Sequence, residues 1–192
     1  MTELATPARS GGDFVRSQIM KPLAMTIGLV ALVVASAYVS VPLPGSPVPM
    51  TMQSLAVLMA GIWAGPVVGA AAIATYLGLA ALGLPVLAGG AVAPGLMLLA
   101  KPTFGFLVGF LVGAWVAGFV FRRMGGTVLA ALAALTLGHV VIFGAGVAYL
   151  MAFMSWTQAI AIGVLPFMAG TVVKILLGAA LVTASRGLRR AG

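Results

Sequence analysis

Two lysines stand apart from every other charge in this chain. Lys174 lies inside a long apolar run, twelve residues ahead of Arg186, which is ~18 Å along a helix at ~1.5 Å per residue. An ionisable side chain at that depth is costly in an apolar medium and usually pairs or lines a polar site, with snorkelling of its long stem to water as the alternative. Thr171 precedes it by three residues on the same helical face. Pro166-Phe167 predicts a break just upstream that opens this helix toward a pocket. Lys101, directly before Pro102, predicts a second cation at the mouth of another helix, where an interfacial lysine with no task is the competing reading. An anionic group would meet both.

Around these cations the chemistry is sparse. The only acids are Glu3 and Asp13, so paired carboxylates for acid–base work, oxygen cages for divalent metals and acidic proton relays are all missing from the apolar body. His139 stands alone, and one histidine completes no zinc site; in an apolar helix such a residue is more often hydrogen-bonded packing than a ligand. Thr51, Gln53 and Ser54 open an apolar segment, where they either cap a helix or offer uncharged hydrogen bonds to a ligand. No cysteine is present, which leaves redox compartment unreadable. No G-x-x-x-x-G-K-[ST] phosphate loop occurs, so transport against a gradient would draw its energy from another subunit. These absences argue against an enzyme and against a resident metal or cofactor.

The elements that must position these residues are membrane helices. Of 192 residues, 62% are hydrophobic and 6% charged, far below the quarter or so expected of a soluble domain. No charged side chain occurs from Pro22 to Ala100, from Pro102 to Phe121, or from Met124 to Val173, and ~20 apolar residues suffice for one crossing. Apolar runs punctuated by Gly and Pro predict six helices, about 22–40, 50–65, 67–83, 102–121, 128–150 and 158–184. The expected fold is an all-α integral membrane protein, a six-helix bundle over residues 19–192 behind a mobile cytoplasmic tail at 1–18. Arg16 and Lys21 ahead of an apolar run, followed by Ala35-Ser36-Ala37, superficially match a cleavable signal, but the run continues through Tyr38 and Val39.

Three connections carry information. Val41 to Pro49 has four prolines, which remove donors and fix φ, predicting a stiff, non-helical loop. Ala64-Gly65-Pro66 is so short that segments two and three must be neighbours. Leu84 to Lys101 is Gly-rich yet apolar, and irregular backbone of that kind persists at membrane depth only when packed on protein or lining a cavity. Ala24, Gly28, Ala31 and Ala35 form a small-residue stripe on segment one, and Gly105, Gly109 and Gly113 a ridge on segment four; both predict close helix packing, within the chain by default, with a partner subunit as the alternative for one stripe.

Net charge is +8, but the basic residues lie at helix ends instead of forming the clustered face that nucleic acid requires. With both termini in the cytoplasm and six crossings, Arg9, Arg16, Lys21, Arg122, Arg123, Arg186, Arg189 and Arg190 all fall inside, as the positive-inside rule prefers. Lys101 and Lys174 are the exceptions.

Pro42-Leu43-Pro44-Gly45-Ser46-Pro47-Val48-Pro49 followed by Met50-Thr51-Met52-Gln53-Ser54-Leu55, then Gly83-Leu84-Pro85-Val86-Leu87-Ala88-Gly89-Gly90, Pro102-Thr103-Phe104-Gly105-Phe106, and Pro166-Phe167-Met168-Ala169-Gly170 with Lys174, together resemble the BioY family, the biotin-specific S components of energy-coupling-factor (ECF) transporters. The resemblance covers almost all of the chain after the tail. It implies a multi-pass subunit of the cell membrane that captures biotin from outside and passes it to a transmembrane T component and two ATP-hydrolysing subunits. On this resemblance the biotin site draws on Lys174, Thr171, Lys101, Thr103, Phe104, Phe106, Gln53 and Phe167, with Pro44, Gly45 and Pro47 in a lid loop and Gly28, Ala31 and Ala35 facing the T component. This chain departs from the family where Thr171 replaces an acid before the lysine, and where Lys101-Pro102-Thr103-Phe104-Gly105-Phe106 stands for Gly-Pro-Thr-Gly-Gly-Tyr. A carboxylate able to accept from a ureido N–H is thereby missing. The alternatives from other classes are a non-catalytic membrane scaffold and a passive facilitator of another small organic anion.

Overall fold

The computed structural model describes residues 11–43 and 45–191, with the side chains of residues 11–19 and 187–191 left aside. Helix α1 (Gly11–Tyr38) begins within the stretch expected to be a tail; the rest of that stretch, and Pro44, lie outside the described residues. Strands β1 (Ser40–Val41) and β2 (Met50–Thr51) then pair antiparallel, Ser40 opposite Thr51 and Val41 opposite Met50. The proline-rich segment is thus tied at its base by a small ladder that prolines would have forbidden within the loop itself.

Helices α2 (Gln53–Ala64) and α3 (Pro66–Ala81) are joined by Gly65 alone. Its φ of 88° is one that a side chain would resist, and Pro66 supplies the preset φ of a first helical turn. Beyond α3 the apolar connection is irregular but ordered: a 3-10 turn at Ala88–Gly90 and a single helical turn, α4 (Leu96–Leu99). Val86, Leu87, Ala93 and Leu98 are buried there. Tyr38 donates to Pro85 O at 2.7 Å, and Tyr149 donates to Leu99 O, so the connection is moored to the bundle at two points.

The remaining helices are α5 (Phe104–Arg123), α6 (Val128–Leu150), α7 (Trp156–Gly163) and α8 (Met168–Ala191). The sixth predicted segment is therefore two helices, broken at Val164 and the 3-10 turn Leu165–Phe167, where Pro166 cannot donate into the ladder. Thr127 caps α6 by accepting from Ala130 N–H at 3.1 Å, and Ser155 with Gln158 forms a capping box that starts α7.

The core is built by close backbone approach as much as by side-chain bulk. A Cβ on Gly61 of α2 would lie 1.9 Å from Ala114 O of α5, and one on Gly118 of α5 would lie 2.5 Å from Gly61 O. The expected ridge on α5 faces α6: a Cβ on Gly109 would come within 2.8 Å of Ile142 Cα, and one on Gly105 within 2.3 Å of Tyr149 Cβ. Helix α2 runs through the middle, with Val57, Leu58 and Met59 sealed from solvent. The perimeter is apolar, with Val67, Leu129, Val140, Val173 and Leu176 exposed, as a lipid-facing surface requires.

Among the described residues, four stretches are long and apolar enough to cross a bilayer: Met20–Tyr38, Phe104–Arg123, Val128–Leu150 and Trp156–Arg186, the last spanning the break. Helices α2 and α3 are apolar but shorter, and pack among them. Arg122, whose Nη2 donates to Ala64 O at 2.9 Å, marks one end of the bundle together with Arg186. The proline-rich loop, the apolar connection and the helix break gather at the other.

Candidate functional site: two adjoining lysine-bearing cavities

At the loop-rich end two cavities adjoin. The deeper, of about 60 Å³, is lined by Val48 and Pro49 from the loop, Thr51 and Ser54 at the start of α2, Phe106 and Phe110 of α5, His139, Ile142 and Phe143 of α6, and Phe167, Thr171 and Lys174 at and after the helix break. The second, of about 190 Å³, takes Pro47, Gln53, Leu87, Ala88, Ala91, Lys101, Thr103 and Leu107, and shares Val48, Pro49, Thr51, Phe106 and Phe110 with the first. Each cavity holds one of the two exceptional lysines.

Helix geometry places these side chains. Phe106 and Phe110 are one turn apart on α5, as are His139 and Phe143 on α6, so each helix presents a continuous aromatic face. Phe143 meets Phe106 edge-on with centroids 6.5 Å apart and leans on Phe167 at 6.2 Å. Gly146 makes this packing possible, because a Cβ there would fall 2.3 Å from the Phe106 ring. The interruption before α8 sets Thr171 and Lys174 facing inward, each 7% exposed. Lys174 Nζ donates to Ser54 Oγ at 3.0 Å, linking α8 to α2.

The polar groups divide by role. Lys174 is donor-only. Gln53 Nε2 is engaged, donating to the buried Tyr76 hydroxyl at 2.9 Å. Thr51 Oγ1 accepts from Gln53 N–H at 3.3 Å, whereas Ser54 turns to Lys174, so the opening residues of α2 serve packing and cavity wall more than a helix cap. Lys101 and Thr103 are half-buried at the rim of the second cavity. The loop is held over both: Ser46 Oγ donates to Ile162 O at 2.8 Å and accepts from Val48 N–H at 3.1 Å. Among the described residues no three metal-ligating side chains converge.

Of the expected site residues, Lys174, Thr171, Phe167 and Phe106 meet in the deeper cavity, and Lys101, Thr103, Gln53 and Phe106 in the second. Phe104 must be corrected: it lies on another face of α5 against Tyr149, ring centroids 5.5 Å apart, and lines a separate surface groove. A step of two positions from Phe106 rotates the side chain ~200° around the helix. Pro47 lines the second cavity, while Gly45 is exposed and away from both. Phe110 and Phe143 are wall residues that the sequence reading did not single out, and Ser54 and His139, which it weighed without placing in the site, join them. The signal for Phe110 and Phe143 was the four-residue spacing of Phe106 with Phe110 and of His139 with Phe143.

The BioY family's sequence profile matches residues 6–191. The chain belongs to the BioY family. Among the relatives of this BioY-family chain, the biotin transporter BioY of Rhizobium etli is 42% identical over 145 residues, covering 70% of this chain and 76% of that protein. The probable biotin transporter BioY of Pyrococcus horikoshii is 35% identical over 153 residues, covering 79% and 90%. A crystal structure of the S-component for biotin from an ECF-type ABC transporter aligns with a TM-score of 0.79 over 96% of each chain at 23% identity, a likeness of fold.

Proposed function

We propose that this protein is the biotin-binding S component of an ECF-type transporter: a multi-pass subunit of the cytoplasmic membrane that captures biotin from outside and depends on a T component and ATP-binding cassette ATPases for energy. Membership of a family whose relatives are named biotin transporters carries the reading. The cavities support it chemically, since biotin combines an apolar bicycle, a ureido head and one carboxylate. Aromatic walls suit the bicycle. Lys174, deep and bonded to Ser54, suits the head; Lys101, at the rim, suits the carboxylate. The sequence holds no phosphate loop, which fits dependence on separate ATPases.

In this reading α2 and α3, though short, complete a six-crossing path with both termini in the cytoplasm. Arg122, Arg123 and Arg186 then face inward, and the loop-covered cavities face outward. The small-residue stripe on α1 supports a partner role. Ala24, Gly28, Ala31 and Ala35 are exposed while Leu29, Val30, Val33 and Ala37 on the other face are buried.

The direct test is equilibrium binding of labelled biotin to the purified protein. Saturable binding tighter than about 1 μM is expected, and a lack of saturable binding at that concentration overturns the assignment.

A further inference from the structure

Among the described residues, one buried side-chain nitrogen or oxygen has no hydrogen-bond partner: Nε2 of His139. The residue is 2% exposed and lies on the wall of the deeper cavity. Its other ring nitrogen, Nδ1, is 2.9 Å from Leu135 O, one turn earlier on α6. A carbonyl oxygen only accepts, so Nδ1 carries the proton in that bond. Nε2 is then either the lone-pair acceptor of a neutral ring or the second donor of an imidazolium. An imidazolium would set a second cation in the wall that already holds Lys174. The sequence has no acid beyond Glu3 and Asp13 to balance it, and uncompensated buried charge is disfavoured. The ring is held as the neutral Nδ1–H tautomer, with an unshared acceptor at Nε2.

The hydroxyls of Thr51, Ser54 and Thr171 can rotate to donate or accept, and Lys174 can only donate. Of the side chains lining this cavity, His139 alone offers an acceptor that cannot also donate in this tautomer. A fixed donor and a fixed acceptor in one cavity suit a ligand edge that presents a carbonyl beside an N–H, as a cyclic urea does. We propose that His139 Nε2 accepts a ureido N–H of biotin and so selects for the protonated ureido nitrogen, in a cavity whose lining holds no carboxylate. The assignment rests on the biotin reading and adds a specificity-determining residue to it.

The sequence contains one histidine, so selective 15N-histidine labelling of the full-length protein reports a single ring. Without ligand, one nitrogen is expected to resonate as unprotonated; with saturating biotin, that resonance moves upfield while remaining unprotonated. In parallel, biotin is compared with its N,N′-dimethyl ureido derivative. Loss of one buried hydrogen bond should weaken binding by about ten- to a hundredfold. His139→Leu should weaken biotin by about that factor and narrow the preference over the methylated compound, while His139→Gln, whose Oε1 can reach the place of Nε2, restores part of both. Bound biotin with an unmoved Nε2 resonance, or His139→Leu with undiminished affinity, overturns the assignment alone. If the unmodified protein shows no saturable biotin binding, the biotin reading falls and this assignment with it. Should His139→Leu fail to fold, the labelled unmodified protein decides.

Discussion

Lys174 and Ser54, 120 positions apart in the chain, meet across the deeper cavity in a 3.0 Å hydrogen bond from ammonium to hydroxyl. The bond holds the lysine head inside the bundle instead of letting its stem reach for water. Removing that head should matter more than removing its anchor. Lys174→Met is expected to weaken biotin binding by about tenfold or more, and Ser54→Ala by a few-fold, in line with charged and neutral hydrogen bonds. Titration with labelled biotin measures both; equal affinity for Lys174→Met and the unmodified protein would remove Lys174 from the site.

Lys101 lines the second cavity, apart from Lys174. If it meets the biotin carboxylate, Lys101→Ala should lower affinity for biotin by about tenfold yet leave affinity for the neutral amide of biotin nearly unchanged. A parallel loss for both compounds would assign Lys101 to packing.

Gly146 leaves room for Phe106, the ring that both cavities share. Gly146→Val must push that ring aside, and overpacking of this kind costs about 1–3 kcal/mol. A lower thermal midpoint in detergent together with lost biotin binding is the expected pair of effects. A fully stable variant with normal binding would contradict the tight contact.

Ser46 fastens the proline-rich loop to the end of α7 through Ile162 O. Ser46→Ala leaves the cavities intact but frees their cover. Biotin should dissociate several-fold faster with little change in association rate, because pre-organisation is expressed mainly in the off-rate. Stopped-flow displacement of labelled biotin reads the difference, and an unaltered off-rate would show the loop to be held by other contacts.

On α1, Ala31 and Ala35 lie on the exposed face. Replacing both with Trp is expected to spare biotin binding and abolish uptake that depends on the partner subunits, measured in reconstituted vesicles. Equal loss of binding and uptake would place the stripe in folding instead of assembly.

Much of this architecture was legible in one dimension. Charge-free runs, prolines and small-residue spacing report local facts: whether a segment tolerates lipid, continues as a helix, or permits a close neighbour. They located α5, α6 and the break before α8, and the inward placement of Lys174 and Thr171 follows from helical phase. Phase errors are equally local, and Phe104, two residues from Phe106, was lost to one. The pairing of Lys174 with Ser54, the separation of the two lysines into different cavities, and the unpartnered Nε2 of His139 depend on which helices cross and how closely. Glycine contacts such as Gly61 with Ala114 set that closeness, and they join positions far apart in the chain. Composition and spacing therefore determined that this protein occupies a membrane and which residues were costly to place there; only the packed bundle decided which of them share a cavity, because a shared wall is a property of three helices at once.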